Sequence, residues 1–243
     1  MNIPPNLLVN ADDLGLNPSV NRAIAYCFEK GYINSTSLLT NTVLFEETVA
    51  LIRQHASIKK VGVHVNFSEG KPVSDFRLPE YLDETGNWNI ARTNKKLQLL
   101  SAQEKAAFYR ELEAQVNRAI AHRLPVMHLD SHYHLHTLPA FLSLFITAAK
   151  KYNLKLRLAQ TFNEGNYLKF AYRKYVNRQL KRNNLHYTDY FETVEHLLKN
   201  NRILAPGKMI EIMLHPGFDA NDQLTDHYDA GSMVKWLNFL NKS

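Results

Sequence analysis

Residues 126–136 read VMHLDSHYHLH, a short apolar start that runs into four histidines and one aspartate within positions 128–136. From His128 to His136 every second residue (His128, Asp130, His132, His134, His136) is able to bind a metal or exchange a proton. Two residues is the side-chain period of an extended chain, so the spacing predicts a strand carrying all five groups on one face. The chain has 11 histidines in all, and four placed here as core would each demand a buried hydrogen-bond partner. A row of imidazoles makes a poor core and a good metal site.

Outward from this stretch, short apolar runs alternate with amphipathic ones. Leu7-Leu8-Val9 predicts a strand that leads into Asp12 and Asp13. Asn17-Pro18 then supplies an N-cap and a first-turn proline for a helix with Val20, Ala23, Ile24, Cys27 and Phe28 on one face, stopped at Gly31. A strand is expected over Ser35–Thr40, a helix over Phe45–His55, and a strand over Val61–Val65 that contains His64. Ser101 and Glu104 form a capping box before a helix with Leu112, Val116, Ala119 and Ile120 on its apolar face. The histidine run follows on a strand over Val126–Asp130, and a helix begins near Pro139. Leu154–Leu158 and Met209–Leu214 predict further strands, the last leading into His215.

This alternation predicts an α/β fold with a mostly parallel sheet. Chemistry in such folds gathers at the C-terminal ends of the strands. Asp12-Asp13, His64, Asp130 with His132, and His215 all fall at those ends. The two aspartates are adjacent, but the chain turns towards Gly15, so both carboxylates can serve one site. No internal repeat, low-complexity segment or linker divides the sequence, and a single domain is expected over 1–243. Residues 66–100, broken by Gly70, Pro72, Pro79 and Gly86, predict a long irregular loop.

Composition narrows the class. At 243 residues, 45% hydrophobic and 21% charged, the chain is long enough for a large core, and no run approaches a membrane span. The N-terminus lacks a basic and an apolar region, so no signal peptide is expected. The only cysteine, Cys27, excludes an intrachain disulfide and fits a reducing cytoplasm. Residues 150–182 hold ten Lys/Arg against the single acid Glu164, so +9 of the net +6 sits there and the remainder carries −3. Its centre, KFAYRKYVNRQLKR over 169–182, reads as an amphipathic helix with a solvated basic face; nucleic-acid contact is the sharper alternative.

Two neutral imidazoles and one carboxylate make an open site for a divalent cation, with zinc favoured by ligand softness. Such an ion acidifies a water and polarises a carbonyl, while a free carboxylate and a histidine supply base and acid. Those parts fit hydrolysis of an amide, an ester or a phosphoester. Spacing alone does not choose among His132, His134 and His136 as the ligand.

NADDLG, GVHVNFSEGKPV, HLDSHYHLH and LHPGF, in that order over residues 10–218, resemble the four blocks of the YdjC-like carbohydrate deacetylase family. The resemblance implies an irregular (β/α) TIM-like barrel of the glycoside hydrolase/deacetylase type. It implies metal-assisted removal of acetyl groups from N-acetylated sugars or chito-oligosaccharides, with Mg²⁺ or Zn²⁺ bound. It further implies that Asp13, His64 and His132 hold the cation, that Asp12 is the base, and that His215 is the acid. Asp130 and His134 or His136 are expected to fix ligand orientation. Tyr81 and Trp88 in the long loop are candidates to stack on a sugar ring, with packing against the barrel the alternative. Two departures stand out. Related sequences often carry a third histidine where this one has Tyr133, whose side chain should by alternation face away from the ligands. The tail after Phe218 is short and lacks the arginine-containing helix and closing strand associated with the family.

The rivals are a metallo-phosphoesterase using the same ligands and a catalytically silent binder of polysaccharide or nucleic acid. Asp12 and His215 speak against the binder, which needs neither base nor acid. The expected partner is an N-acetylated sugar, with no membrane and no nucleic acid. Monomer and homodimer are both open.

Overall fold

Asn17 begins the first helix as its type dictates: its side chain accepts a hydrogen bond from the Val20 amide at 3.0 Å, and Pro18 occupies the first turn. The computed structural model describes residues 2–200 and 207–242; the remaining positions of the 1–243 span lie outside the described residues. Chain order is β1 (Leu7–Leu14), α1 (Pro18–Glu29), β2 (Ser35–Leu38), α2 (Phe45–Gln54), β3 (Val61–Val65), α3 (Ile90–Thr93) and α4 (Ala102–Ala121). There follow β4 (Val126–Ser131), α5 (Leu142–Tyr152), β5 (Lys155–Leu156), α6 (Tyr167–Arg182), β6 (Tyr190–Glu192) and α7 (Val194–Asn200). The chain ends with β7 (Ile210–Leu214), β8 (Pro216–Phe218), β9 (Leu224–Asp226) and α8 (Ala230–Leu240).

Seven strands form one sheet in the order β5-β4-β3-β2-β1-β7-β6, with every neighbouring pair parallel. Alternation along these strands separates two faces. Val9, Ala11, Val61, Val63, Leu129, Ile210 and Ile212 are buried and join the hydrophobic core. Val20, Ile24 and Phe28 of α1 are buried in the same cluster, each stabilising the fold by about 1.5–3 kcal/mol. The other face is polar and equally buried: Asn10, Asp12, Ser37, His64, His128, Asp130, Arg157 and Glu211 are all at most 4% exposed. Gly62 belongs to this face, and a Cβ there would come within 2.1 Å of His128 Nε2. The glycine is the space in which that imidazole lies.

The sheet is parallel α/β, as expected, but its hydrogen-bonded ladders leave β5 and β6 at opposite edges. Beyond β5 the chain crosses towards the other edge, where the Thr161 amide donates to Phe191 O at 2.9 Å. The predicted strand over Leu154–Leu158 is shorter, because only Lys155 and Leu156 pair with β4.

The histidine run departs from its predicted strand. β4 stops at Ser131, and residues 132–137 turn in 3-10 fashion with Tyr133 (φ 53) and His134 (φ 56) left-handed. Left-handed residues cancel the two-residue period, so the five groups do not line one face. The tail after Phe218 folds into β9, antiparallel to β8, and then α8, which carries no arginine and buries Met233, Trp236 and Leu240. The basic tract is helical as expected, although Val176 and Leu180 are buried while Leu168 and Tyr175 are exposed.

Candidate metal and catalytic site

The register of β1 against β2 shifts between Ala11 and Leu14, and Asp13 at that point has φ 69. Aspartate tolerates this left-handed conformation better than most residues. The shift turns Asp12 and Asp13 into one interior, where regular alternation would send them to opposite faces. Asp13 Oδ1 lies 3.2 Å from His64 Nε2 and 2.8 Å from His132 Nδ1. The three side chains are nearly fully buried and offer one ligand atom each within 4.8 Å of one another. Asp13 Oδ1 nevertheless makes no hydrogen bond. Nitrogens that converge on a buried carboxylate oxygen without hydrogen-bond alignment are the arrangement a cation satisfies, so Asp13, His64 and His132 fit a divalent ion.

Each of these two histidines has a carboxylate towards its other nitrogen. His64 Nδ1 is 2.8 Å from Asp130 Oδ1, which leaves Nε2 as the nitrogen turned to Asp13. His132 Nε2 faces Glu69 Oε1 at 3.7 Å. Burial disfavours a charged His64, but Asp130 and Asp13 overcome it and raise its pKa to about 10. Burial would raise Asp13, yet the ring nitrogens of His132, His227 and His64 facing its carboxylate hold it well below the usual carboxylate range.

Asp12 is bound on the other side by Arg157. Nη1 donates to Oδ2 and Nη2 to Oδ1, both at 2.6 Å, while Asn10 Nδ2 donates to Oδ1 at 2.7 Å. Burial opposes ionisation, but the guanidinium charge prevails and lowers the Asp12 pKa. Arg157 also contacts Asp130 Oδ2 at 2.8 Å and donates through Nε to Glu211 Oε1 at 2.7 Å. Ser37 Oγ donates to Asp130 Oδ2 at 2.7 Å and sits 3.2 Å from His128 Nε2. Arg157 thus joins the proposed base to the carboxylate that orients His64.

His215 follows β7. Its amide donates to Asp226 Oδ2 at 2.7 Å, and its Nδ1 lies 3.5 Å from Asp226 Oδ1. Burial pulls its pKa down; the Asp226 hydrogen bond and the charges of Asp12, Asp226 and Asp13 raise it. An imidazolium held by a carboxylate at the edge of a site is suited to giving up a proton.

The remaining expected groups lie elsewhere. His134 turns towards Phe191, with ring centroids 5.7 Å apart, and burial lowers its pKa to about 4. His136 is buried against Phe145 with its Nδ1 2.7 Å from Ser131 Oγ. Neither makes a hydrogen bond or ion pair with Asp13, His64 or His132 among the described residues, whereas Asp130 pairs with His64. Tyr81 and Trp88 take the packing alternative: both are buried with Phe67, Phe76 and Phe108, and the Tyr81 hydroxyl donates to Glu104. Tyr133, expected to face away, lies against His132 with ring centroids 4.3 Å apart. Its left-handed backbone removes the alternation on which that expectation stood.

Sequence reading missed four contributors. Arg157 and Glu211 each sit as a lone charge between apolar neighbours, in LRL and IEI, the one local sign of a buried ionic pair. Glu69 holds the Tyr133 hydroxyl, which donates to it at 3.0 Å. His227, just past β9, places Nε2 3.2 Å from Asp13 Oδ2. Beside the site, a cavity of about 850 Å³ runs from Tyr133 and His134 past Phe191 to Tyr172 and Arg173 of α6.

The family described as YdjC-like protein matches residues 6–237. A carbohydrate deacetylase from Brevibacillus brevis is 30% identical over 87% of this chain and 81% of its own length. Another, from Thermoanaerobacter pseudethanolicus, is 29% identical over 90% and 84%. The fold is similar to a crystal structure from Enterococcus faecalis V583, described provisionally as a cellobiose-phosphate cleavage protein. It has a TM-score of 0.73 and 22% identity, with coverage of 95% of this chain and 88% of that one. No described helix is long and apolar enough to cross a membrane.

Proposed function

The chain belongs to the YdjC-like family, and from that premise we propose that it hydrolyses the acetamido group of N-acetylated sugars or chito-oligosaccharides with a bound divalent cation, Mg²⁺ or Zn²⁺. The observation that carries the proposal is Asp13 Oδ1, buried without a hydrogen bond between nitrogens of His64 and His132. Relatives named carbohydrate deacetylase, similar over most of both chains, support the substrate class.

Asp13, His64 and His132 would hold the cation, which when bound polarises the acetamide carbonyl and acidifies a water. Asp12 stays ionised beside Arg157 and takes the proton of the attacking water. Its lowered pKa makes it a modest base. His215, whose charged form Asp226 favours, gives a proton to the departing sugar nitrogen. Acetate and the free amine are the products. Asp130 holds His64 in the tautomer that leaves Nε2 free.

The curled sheet, bridged between its edges at Thr161 and Phe191, is read here as an irregular barrel forming a single domain. A cytoplasmic setting belongs to the same proposal, supported by the single cysteine. The test is acetate release from a panel of N-acetylated mono- and oligosaccharides, before and after chelation and with Mg²⁺ or Zn²⁺ restored. Metal-dependent turnover of a phosphoester panel with no acetate release would replace this reading with the phosphoesterase one.

A further inference from the structure

Tyr133 and His134 are consecutive left-handed residues (φ 53, ψ 22 and φ 56, ψ 30). An aromatic side chain rarely adopts this conformation, and strain of this kind concentrates at functional sites. Here it bends the chain back after His132. The Tyr133 ring lies against His132, and its hydroxyl donates to Glu69. From the opposite rim, the turn after β9 brings Tyr228 against His215, with ring centroids 4.5 Å apart. The two tyrosines meet edge to face at 6.4 Å and 80°. Both stay partly open to solvent, at 39% and 51% exposure. Tyr133 also lines the neighbouring cavity.

Two half-exposed rings, each resting on a histidine of the site, therefore border the place where a substrate must enter. A pyranose presents C–H groups on its faces and hydroxyls at its edge. A tyrosine matches that with a flat apolar ring and a polar tip, at little cost in side-chain freedom. We propose that Tyr133 and Tyr228 are a specificity-determining pair that clasps the neutral sugar ring bearing the acetamido group. They take no part in making or breaking bonds. Glu69, by holding the Tyr133 hydroxyl, fixes that ring's angle. The proposal rests on the deacetylase reading for the identity of the ligand.

Two measurements separate the pair from that reading. The first is equilibrium binding of N,N′-diacetylchitobiose to metal-loaded protein carrying Asp12→Asn, which slows turnover, with and without Tyr133→Ala or Tyr228→Ala. Each alanine is expected to weaken binding by about three- to tenfold, the usual range for one aromatic contact. The metal dissociation constant should stay within about twofold. The second is kcat and KM in the otherwise unaltered enzyme, where KM should rise by a similar factor with kcat nearly unchanged. Tyr133→Phe should bind nearly as well as the parent, because the ring is kept. Tyr133→Gly accepts the left-handed backbone without strain, so its thermal midpoint should not fall, and it serves if alanine misfolds. Unchanged sugar binding in both alanine variants overturns the clasp. So does a loss of metal affinity that parallels the loss of activity, which would make Tyr133 a support for His132. Sugar binding that depends on both tyrosines, with no acetate released by the wild type, keeps the clasp and removes the deacetylase reading.

Discussion

Replacing Arg157 by Gln exposes how the site is held together. The guanidinium is fully buried and touches Asp12, Asp130 and Glu211 at 2.6–2.8 Å. With charge centres about 4 Å apart, each pair is worth about 4 kcal/mol at an effective dielectric constant of 20. Desolvation of the guanidinium offsets much of that sum. Removing one partner of a buried ionic group costs about 3–5 kcal/mol, because the other charges remain buried without compensation. A loss of that size takes a large share of the about 5–15 kcal/mol that holds a domain folded.

The loss should depend on pH. Burial already raises Glu211 to about 7 against the pull of Arg157, and without Arg157 the Asp12 and Asp130 pKa values must climb as well. A carboxylate whose folded pKa lies above its unfolded value contributes stability below the unfolded pKa and loses it as pH rises through the folded one. The variant should therefore be closest to wild type near about pH 4–5 and fall behind towards about pH 8. Adding Glu211→Gln should recover part of the loss by removing one uncompensated charge. Urea unfolding across that pH range measures the stability. The acid limb of kcat/KM should also move to higher pH as Asp12 becomes easier to protonate. A variant within about 0.5 kcal/mol of wild type at pH 8 with an unmoved acid limb would refute the reasoning.

Asp12→Asn should keep the metal and lose about 10²–10⁴ in kcat, whereas Asp13→Asn should bind metal weakly and recover activity with excess metal; a metal titration of activity compares them, and the opposite pattern reverses the roles. Asp226→Asn should lower the raised His215 pKa and bring the basic limb of kcat/KM down by about one pH unit or more, since less acid remains protonated at high pH; an unmoved limb would count against His215 as the acid. Metal affinity should rise with pH through neutrality, because His64, raised to about 10, must release its proton to bind. A slope of about one logarithmic unit per pH unit is expected for each proton displaced, and calorimetry in buffers of different ionisation enthalpy checks it.

Some of this molecule was settled by local sequence. Asn17-Pro18 and the Ser101–Glu104 capping box start helices through contacts a few residues away. The apolar runs before Asp12, His64, Asp130 and His215 become parallel strands because hydrophobic pattern and strand length are local properties. The residue types suited to a metal site were legible for the same reason. Which histidine approaches Asp13 was not legible. That depends on left-handed dihedrals at Asp13, Tyr133 and His134, which the two-residue period does not encode. Arg157 reads as one more cation of a basic tract until the fold carries it to Asp12, 145 positions away in sequence. Tyr81 and Trp88 have the right chemistry to hold a sugar, yet Phe67, Phe76 and Phe108 claim them for the core. Tyr133, set aside by alternation, stands at the site. Local pattern fixes where strands begin and which groups arrive at their ends. The direction each group then points comes from individual backbone angles and from contacts between distant segments, which exist only once the chain has folded.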